Sequence, residues 1–143
     1  MTDTFLAPQR TDIPHATPSG VSARFWEGVA VGELRYQVCT FCESVNVPPA
    51  EVCRECQLEG IRWQVSAGRG TLYSWTVVYR PVSSAFEEAP YAPAIVELDE
   101  GFQLVTNLVG IAPEDITAGM RVKVEFHRVH GDLRLPYFSP AAE

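Results

Sequence analysis

Cys39-Thr40-Phe41-Cys42, ten residues that include Pro48-Pro49, then Cys53-Arg54-Glu55-Cys56: this stretch holds all four cysteines of the chain. A tetrahedral metal ion takes four soft donors at about 2.3 Å, and two short turns can each supply a pair while the segment between them folds back as a hairpin. The pattern predicts a rubredoxin-like zinc ribbon with Cys39, Cys42, Cys53 and Cys56 as ligands. So short a segment has little apolar core of its own, so the metal is expected to supply most of its folding energy, about 10 kcal/mol or more. Iron in the same cage and a pair of disulfides are the alternatives, and the paired spacing favours a metal over disulfides. No fifth donor is evident, so the site reads as structural rather than catalytic. Arg35 and Arg54 lie near the thiolates in sequence and could offset their charge.

Outward from the cysteines, Leu34, Tyr36 and Val38 alternate and deliver a strand into the first knuckle, while Val45 and Val47 alternate up to prolines that cannot donate to a ladder. Upstream, Ser22 can cap a short helix to Val29, in which Val21, Phe25 and Val29 recur at spacing four and Trp26 widens the stripe. Phe25 and Trp26 either pack on their own domain or anchor a contact with another chain. Met1 to Gly20, with Pro8, Pro14, Pro18 and Gly20, reads as an extended or poorly ordered arm able to wrap a partner.

Downstream the period becomes two. In Thr71 to Tyr79 the residues Tyr73, Trp75, Val77 and Tyr79 alternate with Leu72, Ser74, Thr76 and Val78. An aromatic row of this kind is either core or, with Arg69, a ligand face that stacks on bases or an adenine ring. Arg80 to Pro93 is a long, proline-punctuated loop in which Phe86, Tyr91 and the pair Glu87-Glu88 are contact candidates. Further strands are expected at Ala94–Leu98, Phe102–Val109, Arg121–Val129 and Leu133–Phe138, with one helical turn at Pro113–Ile116. Five or so antiparallel strands and one helical turn fit an OB-type barrel better than a two-sheet sandwich. The expected fold is therefore mainly β: an arm and helix over residues 1–36, a zinc ribbon over 37–60 and a five-stranded OB-fold barrel over 61–143.

The net charge is −7 at neutral pH, and four thiolates with one divalent ion take it to −9. Such a surface opposes non-specific phosphate binding, which depends on counterion release at basic residues. No apolar signal region opens the chain and no run approaches the ~20 residues of a membrane span, so a cytoplasmic protein is expected. With the cysteines on the metal no thiol is left as a nucleophile, and the chain holds no Gly-x-Ser-x-Gly elbow, phosphate loop or dinucleotide fingerprint. His15 falls in the arm, while His127 and His130 flank a hairpin on its outward side. No catalytic residue is assigned.

Several motifs in one order carry a family resemblance: Phe25-Trp26-Glu27, the two Cys-x-x-Cys pairs around Pro48-Pro49, Ser66-Ala67-Gly68-Arg69-Gly70-Thr71, Pro90-Tyr91, Val96 to Gly101, Thr106 to Gly110 and Gly119-Met120. Together they resemble the DUF35 family of zinc-ribbon OB-fold proteins over nearly everything after the arm. The chain departs from the family where glycine commonly follows each second cysteine: it has Glu43 and Gln57. The resemblance implies an acyl-CoA-associated accessory subunit, partnered with a thiolase-fold enzyme such as a steroid side-chain aldolase, an acyltransferase or a hydratase. It further implies that the partner carries the catalytic groups, while this chain docks through its ribbon and helical region in a hetero-oligomer. A nucleic-acid or nucleotide module using Tyr73, Trp75 and Tyr79 is the competing expectation. In a third reading, Arg69, Arg80, Arg121 and Lys123 hold the phosphates of CoA.

Overall fold

A computed structural model of the chain describes residues 5–9, 13–14 and 17–142, and His15 lies outside them. β1 (Arg35–Cys39) is the middle strand of a three-stranded antiparallel sheet, between β2 (Val45–Asn46) and β3 (Ile61–Val65). Gln37 faces Asn46 on one side and Trp63 on the other. β3 pairs along the whole of β1, so the ribbon's sheet takes in residues beyond 60.

The second sheet closes on itself in the order β4-β5-β6-β8-β7, from β4 (Arg69–Trp75), β5 (Ala92–Leu98), β6 (Gln103–Leu108), β7 (Arg121–His130) and β8 (Leu133–Pro140). Every pairing is antiparallel except β6 with β8, which meet in parallel register only at Leu108 and Phe138. A turn of 3-10 helix, Pro113–Asp115, sits where a helical turn was expected. This is the mainly β fold with a five-stranded barrel that the alternation predicted.

Ribbon and barrel share one interior. Leu34, Tyr36 and Val38 from the strand that enters the first knuckle pack in the same core as Leu72, Val96, Leu98, Val122 and Phe138. Burying each such side chain contributes roughly 1.5–3 kcal/mol, so the junction is stabilised by several kcal/mol before any polar contact is counted. Polar contacts then fix it. Ser66 donates its N–H to the Leu34 carbonyl at 2.7 Å, and Glu100 at the β5–β6 turn accepts from Ser66 Oγ and from the Ala67 N–H, each at 2.8 Å. Tyr36 stacks on Phe102 of that turn with ring centroids 5.0 Å apart.

Helix α1 (Ala23–Ala30) lies against both β1 and β8. Val29 is buried and Phe25 packs on the shared core, whereas Val21 at the start of the stripe is largely exposed. The Arg35 side chain runs beneath Gly28, with Cδ 2.6 Å from where a Cβ would stand, and pairs with Glu33 at 2.9 Å. Arg35 therefore serves the helix and not the thiolates.

The arm is not loose where it is described. Leu6 is 3% exposed and exchanges main-chain hydrogen bonds with Ile111 and Gly110, both at 2.8 Å. Ile13 joins Val109, Val129 and Tyr137 in a second small core, and Phe86 of the long loop packs against it. The barrel's outer face at β8 is thus roofed by the arm and the loop. His127, expected on a solvated side, is half-buried there: it stacks on Tyr137 at 5.4 Å and contacts Glu125 at 2.9 Å. The side chain of His130 lies outside the described residues.

Candidate functional site

The two knuckles bring four Sγ atoms within 4.8 Å of one another, with Cys39–Cys56 and Cys42–Cys53 both at 3.6 Å. Sulfurs about 2.3 Å from a tetrahedral ion stand about 3.8 Å apart, whereas a disulfide needs about 2.05 Å. The donor set therefore fits a structural zinc held by Cys39, Cys42, Cys53 and Cys56, and all four cysteines are free of disulfides. The ion's part is to cross-link the two turns, and four thiolates complete a tetrahedral shell.

The protein prepares two of those thiolates, Cys53 and Cys39; at Cys56 the Leu58 amide favours the thiolate, but burial and the three neighbouring cysteines push that thiol up to about 12. Ser44 Oγ lies 3.0 Å from Cys42 Sγ and 3.2 Å from Cys53 Sγ, and Asn46 Nδ2 lies 3.5 Å from Cys53 Sγ. With Ser44 the largest influence and the Cys56 amide next, the Cys53 thiol is lowered to about 5, so it is a thiolate at neutral pH. Cys39 is lowered too, chiefly by the Cys42 amide. Asn46 is buried and also accepts the Arg54 N–H at 2.9 Å, which ties the second knuckle to β2. Ser44 and Asn46 escape motif reading; Asn46 is a buried polar residue on β2, and half-buried Ser44 directly precedes that strand. Arg54 itself reaches the Pro49 carbonyl at 3.4 Å from an exposed position.

Glu43 and Gln57, which follow the second cysteine of each knuckle, have φ of 64° and 65°. Each closes its knuckle by donating its N–H to the first cysteine's carbonyl at 2.9 Å. A left-handed conformation costs a residue with a Cβ roughly 1–2 kcal/mol. Glu43→Gly is therefore expected to stabilise the zinc-loaded protein by about 1 kcal/mol in thermal melts, after the backbone entropy of glycine is subtracted. Gln57→Gly is expected to gain less, since Gln57 Nε2 donates to the Arg54 carbonyl at 2.9 Å.

A second feature lies where helix, loop and barrel meet. Phe25 and Trp26 of α1, Phe86 and Tyr91 of the loop, and Leu135 and Tyr137 of β8 line a largely apolar groove of about 430 Å³. Phe25 and Trp26 meet edge to face at 5.1 Å, and Phe86 stacks on Tyr91 at 5.5 Å. Gln9 latches the loop over the barrel: its Nε2 donates to the Glu88 carbonyl at 2.9 Å and its Oε1 accepts the Glu88 N–H at 3.1 Å. The four aromatics picked out in sequence from two distant segments thus share one wall. Gln9, Leu135 and Tyr137 were not picked out. The available signal was that β8 is apolar on both faces, as a strand covered on both sides must be.

The aromatic row of β4 does not form one face. The β4–β5 register shifts between Leu72 and Ser74, so Tyr73 bulges out and is 61% exposed, while Trp75 and Val77 pack on the barrel core. Tyr79 lies beyond the end of β4 and is exposed. The expected stacking platform of Tyr73, Trp75 and Tyr79 is corrected accordingly: an extra residue inverts the phase of the alternation. Arg69 pairs across from Lys123, and Arg121 forms a two-pronged contact with Asp99 at 2.8 and 2.7 Å, which holds the Asp99 carboxyl below its usual range. Arg80 belongs to the loop rather than to this sheet.

No helix among the described residues is long and apolar enough to cross a membrane. Two family models match, described as the rubredoxin-like zinc ribbon domain of ChsH2 over residues 26–59 and the C-terminal OB-fold domain of ChsH2 over residues 63–127. A probable enoyl-CoA hydratase alpha subunit from Thermomonospora curvata is 37% identical over 94% of this chain, which spans only 44% of that longer protein. A DUF35 domain-containing scaffold protein from Methanocaldococcus jannaschii is 33% identical over 66% of this chain and 67% of its own length. Among solved structures, a chain of the Ltp2-ChsH2(DUF35) aldolase superposes with a TM-score of 0.83 and 38% identity, covering 90% of this chain and 100% of that one.

Proposed function

This chain belongs to the DUF35 family, which pairs a zinc ribbon with an OB fold, and from that membership we propose that it is the non-catalytic scaffold subunit of an acyl-CoA-processing complex. Its partner is a thiolase-fold enzyme, and the reaction is retro-aldol cleavage of a carbon–carbon bond in the side chain of a steroid or lipid acyl-CoA. The partner holds the catalytic residues, and the complex works in the cytoplasm. The observation that carries this reading is the likeness, over the whole of that chain, to a subunit of the Ltp2-ChsH2(DUF35) aldolase. The net charge of −7 and the broken aromatic row both speak against the nucleic-acid reading.

Docking falls to Phe25, Trp26, Phe86 and Tyr91, in support of which all four line one groove where helix, loop and barrel meet. Hydration of an enoyl-CoA is the second reading, favoured by the Thermomonospora curvata relative, which is more than twice the length that this chain spans. Co-expression with a thiolase-fold aldolase subunit followed by size-exclusion chromatography tests the assembly. The two chains are expected to co-elute, and Trp26→Ala combined with Phe86→Ala to separate them without loss of fold. Co-elution only with a hydratase subunit favours the second reading.

A further inference from the structure

We propose that the open edge of β6 receives an extended apolar segment of the partner enzyme as an added strand; this rests on the scaffold reading above and names the surface it uses. The barrel is closed at every seam but one. β6 and β8 pair only at Leu108 and Phe138, and one step along the ladder stands Pro136, which has no N–H to offer the Val105 carbonyl. Thr106 Oγ1 donates to the Pro136 carbonyl at 2.8 Å, and no ladder pair forms beyond it.

Two hydrogen bonds fix which way the β6 main chain points. Thr76 donates to the Pro93 carbonyl at 3.0 Å, so Pro93 and Ile95 of β5 face β4, while Ala94 and Val96 face Thr106 and Leu104. Val109 donates to the Phe138 carbonyl at 2.8 Å, so the alternate residues of β6 face the seam. The N–H and C=O groups of Gln103 and Val105 are therefore aimed into the gap. An edge of this kind is a template for a further strand.

The surroundings define the occupant. Val105 is 76% exposed, and Leu104 and Val105 together line two recesses: the aromatic groove described above, and one of about 470 Å³ bounded by Val45, Val47, Ile95 and Phe102. A strand laid along β6 passes both, so an apolar side chain on it finds the aromatic groove at one end and a mixed polar and apolar recess, with Gln103 in its wall, at the other. Exposed Glu97, paired across from Gln103, and the net charge of −7 favour a basic residue at that end of the segment. A second copy of this chain is a poor occupant. It brings the same exposed Glu97 and the same net charge of −7 to the edge, so like charges face each other.

Amide exchange followed by NMR on the intact zinc-loaded chain, alone at two concentrations and in complex with a co-expressed thiolase-fold aldolase subunit, tests the proposal. The Gln103 and Val105 amides are expected to exchange about tenfold or more slowly in the complex and equally fast at both concentrations alone. Val105→Pro removes the edge N–H without touching the β5 ladder and is expected to weaken assembly about tenfold, the worth of one or two main-chain hydrogen bonds, while Val105→Thr retains it. A complex in which both amides exchange as in the free chain overturns the added strand and leaves the scaffold reading standing. Slowing with concentration in the chain alone overturns the choice of occupant, and failure to form a complex overturns both.

Discussion

Replacing Cys39 with serine is expected to lower the thermal midpoint of the whole chain by roughly 10–20 °C, not of the ribbon alone. A structural zinc contributes about 10 kcal/mol or more to the fold that holds it, and replacing one thiolate by a weaker hydroxyl ligand removes a few kcal/mol of that. Cys39 is fully buried at the end of β1, and the same strand sends Tyr36 and Val38 into the barrel's core. The loss therefore has a route into the barrel. At about 3–5 °C per kcal/mol for a chain of this size, a transmitted loss of a few kcal/mol gives the stated shift. Circular dichroism with and without a chelator reads it: one cooperative transition that moves is expected. An unchanged barrel transition with a separate early one for the ribbon would mean that the two units fold independently.

Phe138→Ala should cost about 3–5 kcal/mol, the range for deleting a buried phenylalanine. Phe138 is the largest of the fully buried side chains and is the residue through which β8 meets β6. Truncation leaves a cavity at the one seam that has a single register pair to hold it. Urea unfolding is the measurement, and the Val109 amide, which donates to the Phe138 carbonyl, should lose protection first. Phe138→Leu should recover most of the loss. An alanine variant that melts within about 1 kcal/mol of the parent would show that the seam can collapse around the gap.

What could be read in advance follows the range of the interaction. The metal site was legible because both ligand pairs lie in short turns, and the strands because burial on one face imposes period two. Pairing partners are long-range, so the register of β3 against β1 is not written in either strand alone. The bulge at Tyr73 leaves no mark in a single sequence, yet it breaks the apparent aromatic platform. In the arm, Leu6, Gln9 and Ile13 are too sparse to show a period, and they are placed by contacts with Ile111, Glu88 and Tyr137 far along the chain. The knuckle positions Glu43 and Gln57 show the reverse. A residue directly after a Cys-x-x-Cys pair closes a tight turn, and the backbone at both is left-handed.

The groove residues were legible one by one and not as a site. Phe25 and Trp26 stood out as a helix stripe, and Phe86 and Tyr91 as aromatics in a long loop, but only the barrel brings the two pairs to one wall. Gln9 of the arm lines that wall and holds the loop to it through the Glu88 main chain.

The central claim is that this chain is a required, non-catalytic subunit. Turnover of a steroid or lipid acyl-CoA by a thiolase-fold aldolase subunit, measured with and without this chain at equal enzyme concentration, tests it most directly. The account predicts cleavage only when both chains are present, and none from this chain alone. An aldolase subunit that is equally soluble and active by itself contradicts it.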